Sequence, residues 1–219
     1  MTVALAWQQR LAFTGIAAPV ALMQGPGLAI LPNMYAQHFG IALVDIALAL
    51  LLSRLIFESL GALAVGVLSD RTRTRWGRRK PWIVAGAVLG LVGVFQLYMP
   101  AGRPGALHLA FWMCVVYLAW NMFDVPYTAW GNELTRDYDE RSRLAVWRQS
   151  FSVAGLLGMA WLPLWVSDNG EIDWNVLRWV AWSSAVLLPL AVGWALWRVP
   201  NGAVQQTQRR LGWRQAIKT

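Results

Sequence analysis

At 219 residues, 57% hydrophobic and only 14% charged, with 15 Trp and a mean hydropathy of +0.42, the chain is too apolar for a soluble domain, where about a quarter of residues are charged. Its charges cluster and leave nearly charge-free windows of about 20 residues, enough to cross a hydrocarbon core of roughly 30 Å. The net charge of +8 sits in connecting segments and the C-terminal stretch, where membrane topology accounts for it, so nucleic acid is not an expected partner.

One cation, Arg10, precedes the first apolar segment, about Leu11 to Tyr35. No small-residue cleavage pattern marks this segment as a signal peptide, so a retained membrane helix is expected. Pro19, Gly25, Pro26, Gly27 and Pro32 interrupt it, with Gln24 in the middle. Carbonyls freed by such residues need neighbouring helices or a water-filled cavity, which predicts a bent, cavity-lining helix.

The second segment, about Leu43 to Leu68, follows an outer loop without Lys or Arg and carries Arg54 and Glu58 one turn apart. Glu58 stands twelve residues before Asp70, roughly 18 Å from the cytoplasmic mouth at about 1.5 Å per residue. An ionisable group at mid-membrane costs about 2.5 to 3.5 kcal/mol and is a functional candidate by default. Two readings stay open: an Arg54–Glu58 pair that offsets two burial costs, or a carboxylate that binds a coupling cation or proton.

GVLSDRTRTRWGRRKPW, Gly66 to Trp82, joins the second and third segments and holds six cations (Arg71, Arg73, Arg75, Arg78, Arg79 and Lys80) against Asp70. Such a loop belongs on the cytoplasmic side, and it orients every other segment. The third segment, about Pro81 to Met99, has Gly86, Gly90 and Gly93 at a spacing that allows close helix packing. The fourth, about Ala106 to Trp130, contains WNMFDVPYTAW. Trp120 and Thr128 flank Asp124 one turn away on either side, placing an aromatic ring, a carboxylate and a hydroxyl on one stripe. Carboxylates accept pairs of sugar hydroxyls and an indole packs on a sugar's C–H face; the plainer reading of Asp124 is a carboxylate at the kink of Pro126.

The loop Gly131 to Arg143 holds Glu133, Asp137, Asp139 and Glu140 with three arginines, which mark it as cytoplasmic. In the fifth segment, about Leu144 to Val166, Arg148 either snorkels to the interface or faces the cavity, where it pairs with Asp124 or donates to substrate. The sixth runs from about Trp174 to Trp197, with Arg178 as an interfacial anchor, and residues 199–219 form a basic tail. Trp161, Trp165, Trp174 and Trp197 lie near span ends, where indoles anchor at headgroups. The expectation is an all-α, multi-pass membrane protein: a six-helix bundle over residues 1–198 with both termini cytoplasmic. Cys114, the only cysteine, and the isolated His38 and His108 offer no disulfide or metal cluster. With no nucleophile elbow or phosphate loop, neither an enzyme nor a cofactor is expected.

Two stretches carry a family resemblance. GVLSDRTRTRWGRRKPW and FDVPYTAWGNELTRDYDERSRLAVWRQSF are similar to the loop after helix two and the helix-four to helix-five region of the major facilitator superfamily. Within it they resemble the glycoside–pentoside–hexuronide:cation symporters of the melibiose-carrier type, and the likeness covers one half of such a transporter, the amino-terminal one. The resemblance implies substrate and cation contacts at Asp124 and Arg148, and a cation-site acid that falls on Glu58. The family's second acid, four residues on, is Ala62 here, and the polar position between is Gly61; a single Glu suits a proton better than sodium. Gln24 is the nearest polar candidate for a sugar contact on the first helix. Gly66, Asp70, Arg71, Arg75, Gly77, Arg78 and Arg79 fall on the gating loop, where Gly66 permits close helix approach and Asp70 pairs with a loop arginine or a helix N-terminus. The implied function is cation- or proton-coupled symport of a glycoside in a bacterial inner membrane. Its second bundle would come from a missing C-terminal half, a partner half or a second copy, since alternating access needs two. The alternatives are a transport-incompetent remnant or accessory protein of the same fold, or a carrier of lysolipid-like amphiphiles. The whole reading expects Glu58 and Asp124 to share one mid-membrane vestibule.

Overall fold

A computed structural model describes residues 5–135, 137–167 and 172–200. The described residues are helical, without strands, and form six helices long and apolar enough to span a membrane: α1 (Trp7–Phe39), α2 (Leu43–Arg71), α3 (Lys80–Tyr98), α4 (Ala106–Leu134), α5 (Tyr138–Val166) and α6 (Trp174–Arg198).

α1 is the most buried span and the most broken. It consists of three helical pieces, Trp7–Thr14, Ala17–Ala29 and Leu31–Phe39, as its prolines and glycines lead one to expect. Neighbours take up its backbone: the Tyr98 hydroxyl donates to the Met23 carbonyl at 2.8 Å, and Tyr35 in turn donates to the Leu97 carbonyl at 2.9 Å. Gly40 ends the span in the left-handed region at φ 66°, where glycine carries no steric cost.

α2 holds a feature absent from the sequence reading. Its turn Leu55–Gly61 is π-helical, and the Asn121 side-chain amide of α4 donates to the Phe57 carbonyl within it. Gly61 makes room, since a Cβ there would lie 3.2 Å from Asn121 Nδ2.

The glycines of α3 set its distance from α4. A Cβ at Gly86 would come within 2.6 Å of the Phe123 backbone nitrogen, and one at Gly93 within 2.6 Å of the Val116 side chain. On the other side of the bundle, Gly155 of α5 lies directly against the Ala18 carbonyl of α1. Ile16, Leu31, Ile83, Leu97, Leu177 and Val180 form the buried centre. Outward faces carry Leu48, Leu52, Trp161, Trp165, Trp182 and Trp197, as lipid contact requires. Trp174 differs: its ring packs on Tyr35, His38 and Phe39.

The connection between α4 and α5 is shorter than the cluster of acids suggests. α4 runs to Leu134 and α5 begins at Tyr138. Asp137 caps α5 by accepting from the Asp139 nitrogen at 3.1 Å, and Asp139 and Glu140 occupy its first turn, where the helix dipole favours negative charge. Asp137, Asp139 and Glu140 mark a helix start, and Glu133 belongs to the last turn of α4.

Candidate functional site

α1, α4 and α5 line an open cavity of about 450 Å³. Its wall includes Gln24 from α1, the stripe Trp120, Asp124 and Thr128 from α4, and Arg148 from α5. The five residues that the sequence singles out for substrate thus share one chamber. Its volume falls within the roughly 300–1,000 Å³ of small-molecule sites.

Arg148 organises the polar wall. Its Nη2 meets Asp124 Oδ1 at 2.5 Å and its Nη1 donates to Thr128 Oγ1 at 2.9 Å, while the guanidinium lies 4.7 Å from the centre of the Tyr127 ring. Because α5 begins at Tyr138, Arg148 lies ten residues into the helix, roughly 15 Å along it. That depth and the cross-helix partner place it in the cavity and not at the interface. Both charged side chains stay about one-third exposed, 32% and 30%, so the pair is reachable from the chamber.

Several wall residues escape the sequence reading. Phe13 stacks on Tyr127 with centroids 4.7 Å apart, and the Tyr127 hydroxyl donates to the Phe13 carbonyl at 2.7 Å. Asn132, one turn beyond Thr128, and Gln149 and Ser152, beside and one turn beyond Arg148, add amide and hydroxyl groups. Helical spacing from the residues already singled out would have found Asn132 and Ser152. Nothing local marks Phe13.

The coupling candidates are less complete. Glu58 falls on the π-helical turn, and its side chain lies outside the described residues. Arg54, one turn earlier, lines a second, smaller cavity that borders the first.

At the end that the basic loop occupies, Arg79 is buried and gathers three partners. It reaches Asp70 at 2.6 Å, Glu133 at 3.1 Å and the Ser69 hydroxyl at 2.9 Å; Arg78 adds a 2.7 Å contact to Glu133. Asp70 thus takes the loop-arginine partner foreseen for it, and Glu133 of α4 is the unforeseen hub. Gly77 turns the loop at φ 99°, with the Thr74 hydroxyl donating to its carbonyl at 2.6 Å. Arg71 and Arg75 are exposed. Among the described residues, the nearest neighbour of a Cβ at Gly66 would be Val125 at 3.9 Å, ordinary contact. Two further ties lie nearby. Arg10 of α1 pairs with the buried Glu140 of α5 at 2.8 Å, and Lys80 donates to the Leu196 and Val199 carbonyls at 3.0 and 2.9 Å.

Comparison with known proteins gives the arrangement a family. Residues 13–219 match the family described as MFS/sugar transport protein. A stretch of 109 residues is 36% identical to the uncharacterized symporter sll1374 of Synechocystis, covering 46% of this chain and 20% of that protein. The inner membrane symporter YicJ of Escherichia coli K12 is 30% identical over 55% of this chain and 27% of its own length. The putative glycoside/cation symporter YagG of the same organism is 34% identical over 67% of this chain and 33% of its own length. The chain thus spans about a fifth to a third of the length of these relatives. With six membrane-length helices and a match over nearly all of its residues, this multi-pass membrane protein belongs to the MFS/sugar transport family of the major facilitator superfamily.

Proposed function

We propose that the chain is the amino-terminal bundle of a secondary transporter that couples uptake of a glycoside or similar sugar-like solute to a cation gradient. The observation that carries this reading is the Asp124–Arg148 pair with Thr128 in a chamber that Trp120 also lines. A carboxylate and a guanidinium together accept from and donate to adjacent hydroxyls, while an indole face packs against the C–H side of a sugar ring. Such a pair in a membrane interior marks a substrate or ion path. The symporters named above support coupling, and YagG's name supports a glycoside. Glu58 is the proposed coupling carboxylate, with the proton favoured over sodium because Ala62 and Gly61 offer no second ligand. The density of arginines in the basic loop supports a cytoplasmic position for both ends of the bundle. A second six-helix bundle, in the same polypeptide or a partner, completes the cycle.

The test is gradient-driven uptake of labelled glycosides into proteoliposomes carrying the full-length protein. A pH gradient without sodium is expected to drive accumulation, and Asp124→Asn and Glu58→Gln each to lower it at least about tenfold, the loss of one charged contact. Wild-type accumulation in both variants would falsify the assignment; accumulation that needs sodium would reverse the ion.

A further inference from the structure

The bonds from Arg148 to Asp124 and Thr128 leave one freedom open. They engage Nη2 and Nη1, two nitrogens of a guanidinium whose donors all lie in one plane, so by themselves they let that plane tilt. A third contact lies across the plane: the guanidinium carbon stands over the Tyr127 ring, 4.7 Å from its centre. That is within the roughly 6 Å over which an aromatic face attracts a cation. All three partners come from one turn of α4, since Tyr127 and Thr128 stand three and four residues after Asp124.

The ring itself has little room to move. Tyr127 is 1% exposed, with Phe13 stacked on it at an interplanar angle of 30° and Phe123 at a centroid distance of 5.6 Å. Phe13 is fixed in turn by the edge of Trp130 and by Gly131, where a Cβ would come within 2.8 Å of the Phe13 ring. The bond from the Tyr127 hydroxyl to the Phe13 carbonyl falls beside the interruption of α1 between Thr14 and Ala17. At such a break the helical ladder stops and carbonyls need donors from outside the helix. Tyr127 thus has its hydroxyl committed to α1 and its ring set against the cation of α5.

We propose that Tyr127 is a positioning residue for solute binding: its ring sets the plane of the Arg148 guanidinium, so that the donors beyond those given to Asp124 and Thr128 are aimed into the chamber. The inference rests on the solute reading of the Asp124–Arg148 pair and deepens it by naming what fixes the pair's geometry. An aliphatic side chain in place of Tyr127 keeps the wall apolar but has no negative ring face to hold the cation. The guanidinium then tilts on its two in-plane bonds, and orientations that miss the solute's hydroxyls lower the fraction of protein ready to bind. Phenylalanine keeps the ring and loses only the bond to the Phe13 carbonyl, a cost to folding and not to recognition.

The experiment has two arms, both on the purified full-length protein. In the first, side-chain NMR of arginine-labelled protein is recorded without solute, and the Arg148 signal is assigned by its loss in Arg148→Lys. Its protons are expected to show the upfield ring-current shift of groups above an aromatic face in the wild type and in Tyr127→Phe, and to lose it in Tyr127→Leu. In the second, calorimetric titration with the methyl glycosides of galactose, glucose and xylose is expected to find Tyr127→Phe within about twofold of the wild type and Tyr127→Leu about three- to thirtyfold weaker. Tyr127→Met, whose flexible side chain fills the same space, replaces Tyr127→Leu if the latter does not fold. An unshifted Arg148 signal in the wild type overturns the proposal without any variant of Tyr127. So does wild-type affinity in the aliphatic variant, or an equal loss of affinity in Tyr127→Phe and Tyr127→Leu that follows their unfolding midpoints. A shifted Arg148 signal in a protein that binds none of the three glycosides upholds the placement of Arg148 and overturns the glycoside reading instead.

Discussion

Arg148 shows how one side chain supports both structure and chemistry. Its planar guanidinium reaches two acceptors, Asp124 and Thr128, from separate nitrogens, a fork that an ammonium cannot reproduce. Arg148→Lys is therefore expected to keep the charge but weaken solute binding, read as a raised half-saturation concentration in uptake. Arg148→Ala leaves the Asp124 carboxylate without its partner. Because the pair is about one-third exposed, the expected loss is about 1 to 3 kcal/mol, below the 3 to 5 of a fully buried pair, measured as a shift in the unfolding midpoint in detergent. Much of this was legible. The one-turn spacing of Trp120, Asp124 and Thr128 placed them on a single stripe, and the structure keeps them there. Whether Arg148 faced lipid headgroups or the chamber was not legible, because its depth depends on where α5 begins. The acids from Asp137 to Glu140 read as loop, and the bond from the Asp139 nitrogen to Asp137 shows them instead at a helix start. The Arg10–Glu140 pair had no local signal at all, since its members lie on helices far apart in sequence.

Between helices, small residues and one amide set the geometry. Gly86→Ala pushes a methyl against the Phe123 backbone, which has no rotamer to yield, whereas Gly90→Ala fits within ordinary contact. The first is expected to destabilise by about 1 to 3 kcal/mol and the second by less than half as much, in side-by-side unfolding measurements. The glycine spacing of α3 was legible as a packing face; which glycine bears the closest contact was not. The π-helical turn of α2 was invisible to hydrophobic patterning, because an extra residue in one turn changes no composition. Asn121 holds that turn from the neighbouring helix. Asn121→Leu removes the donor to the Phe57 carbonyl, and a loss of about 1 to 3 kcal/mol is expected, with faster amide exchange confined to the Leu55–Gly61 turn. The location of this π-helical segment at Glu58 agrees with the tendency of such turns to occur at functional positions.

At the scale of the bundle, polar ties concentrate at the end bearing the basic loop. Arg79 and Arg78 join the loop to α4 through Glu133, and Lys80 covers the last carbonyls of α6, where a cation also complements the helix dipole. Lys80→Met is expected to quicken amide exchange across Ala195 to Arg198 while leaving the start of α6 unchanged; uniform exchange along α6 would show that packing alone holds it. α1 and α5 are joined at several depths, by Arg10–Glu140, by Gly155 against Ala18 and by Gly25 beside Met159. α4 and α5, in contrast, touch along little of their length, and the Asp124–Arg148 contact is a principal bridge between them. If the proposed glycoside binds there, hydroxyls that take over either end of that bridge would unfasten one side of the vessel as the solute settles. On that reading, docking and the loosening of that seam are a single event.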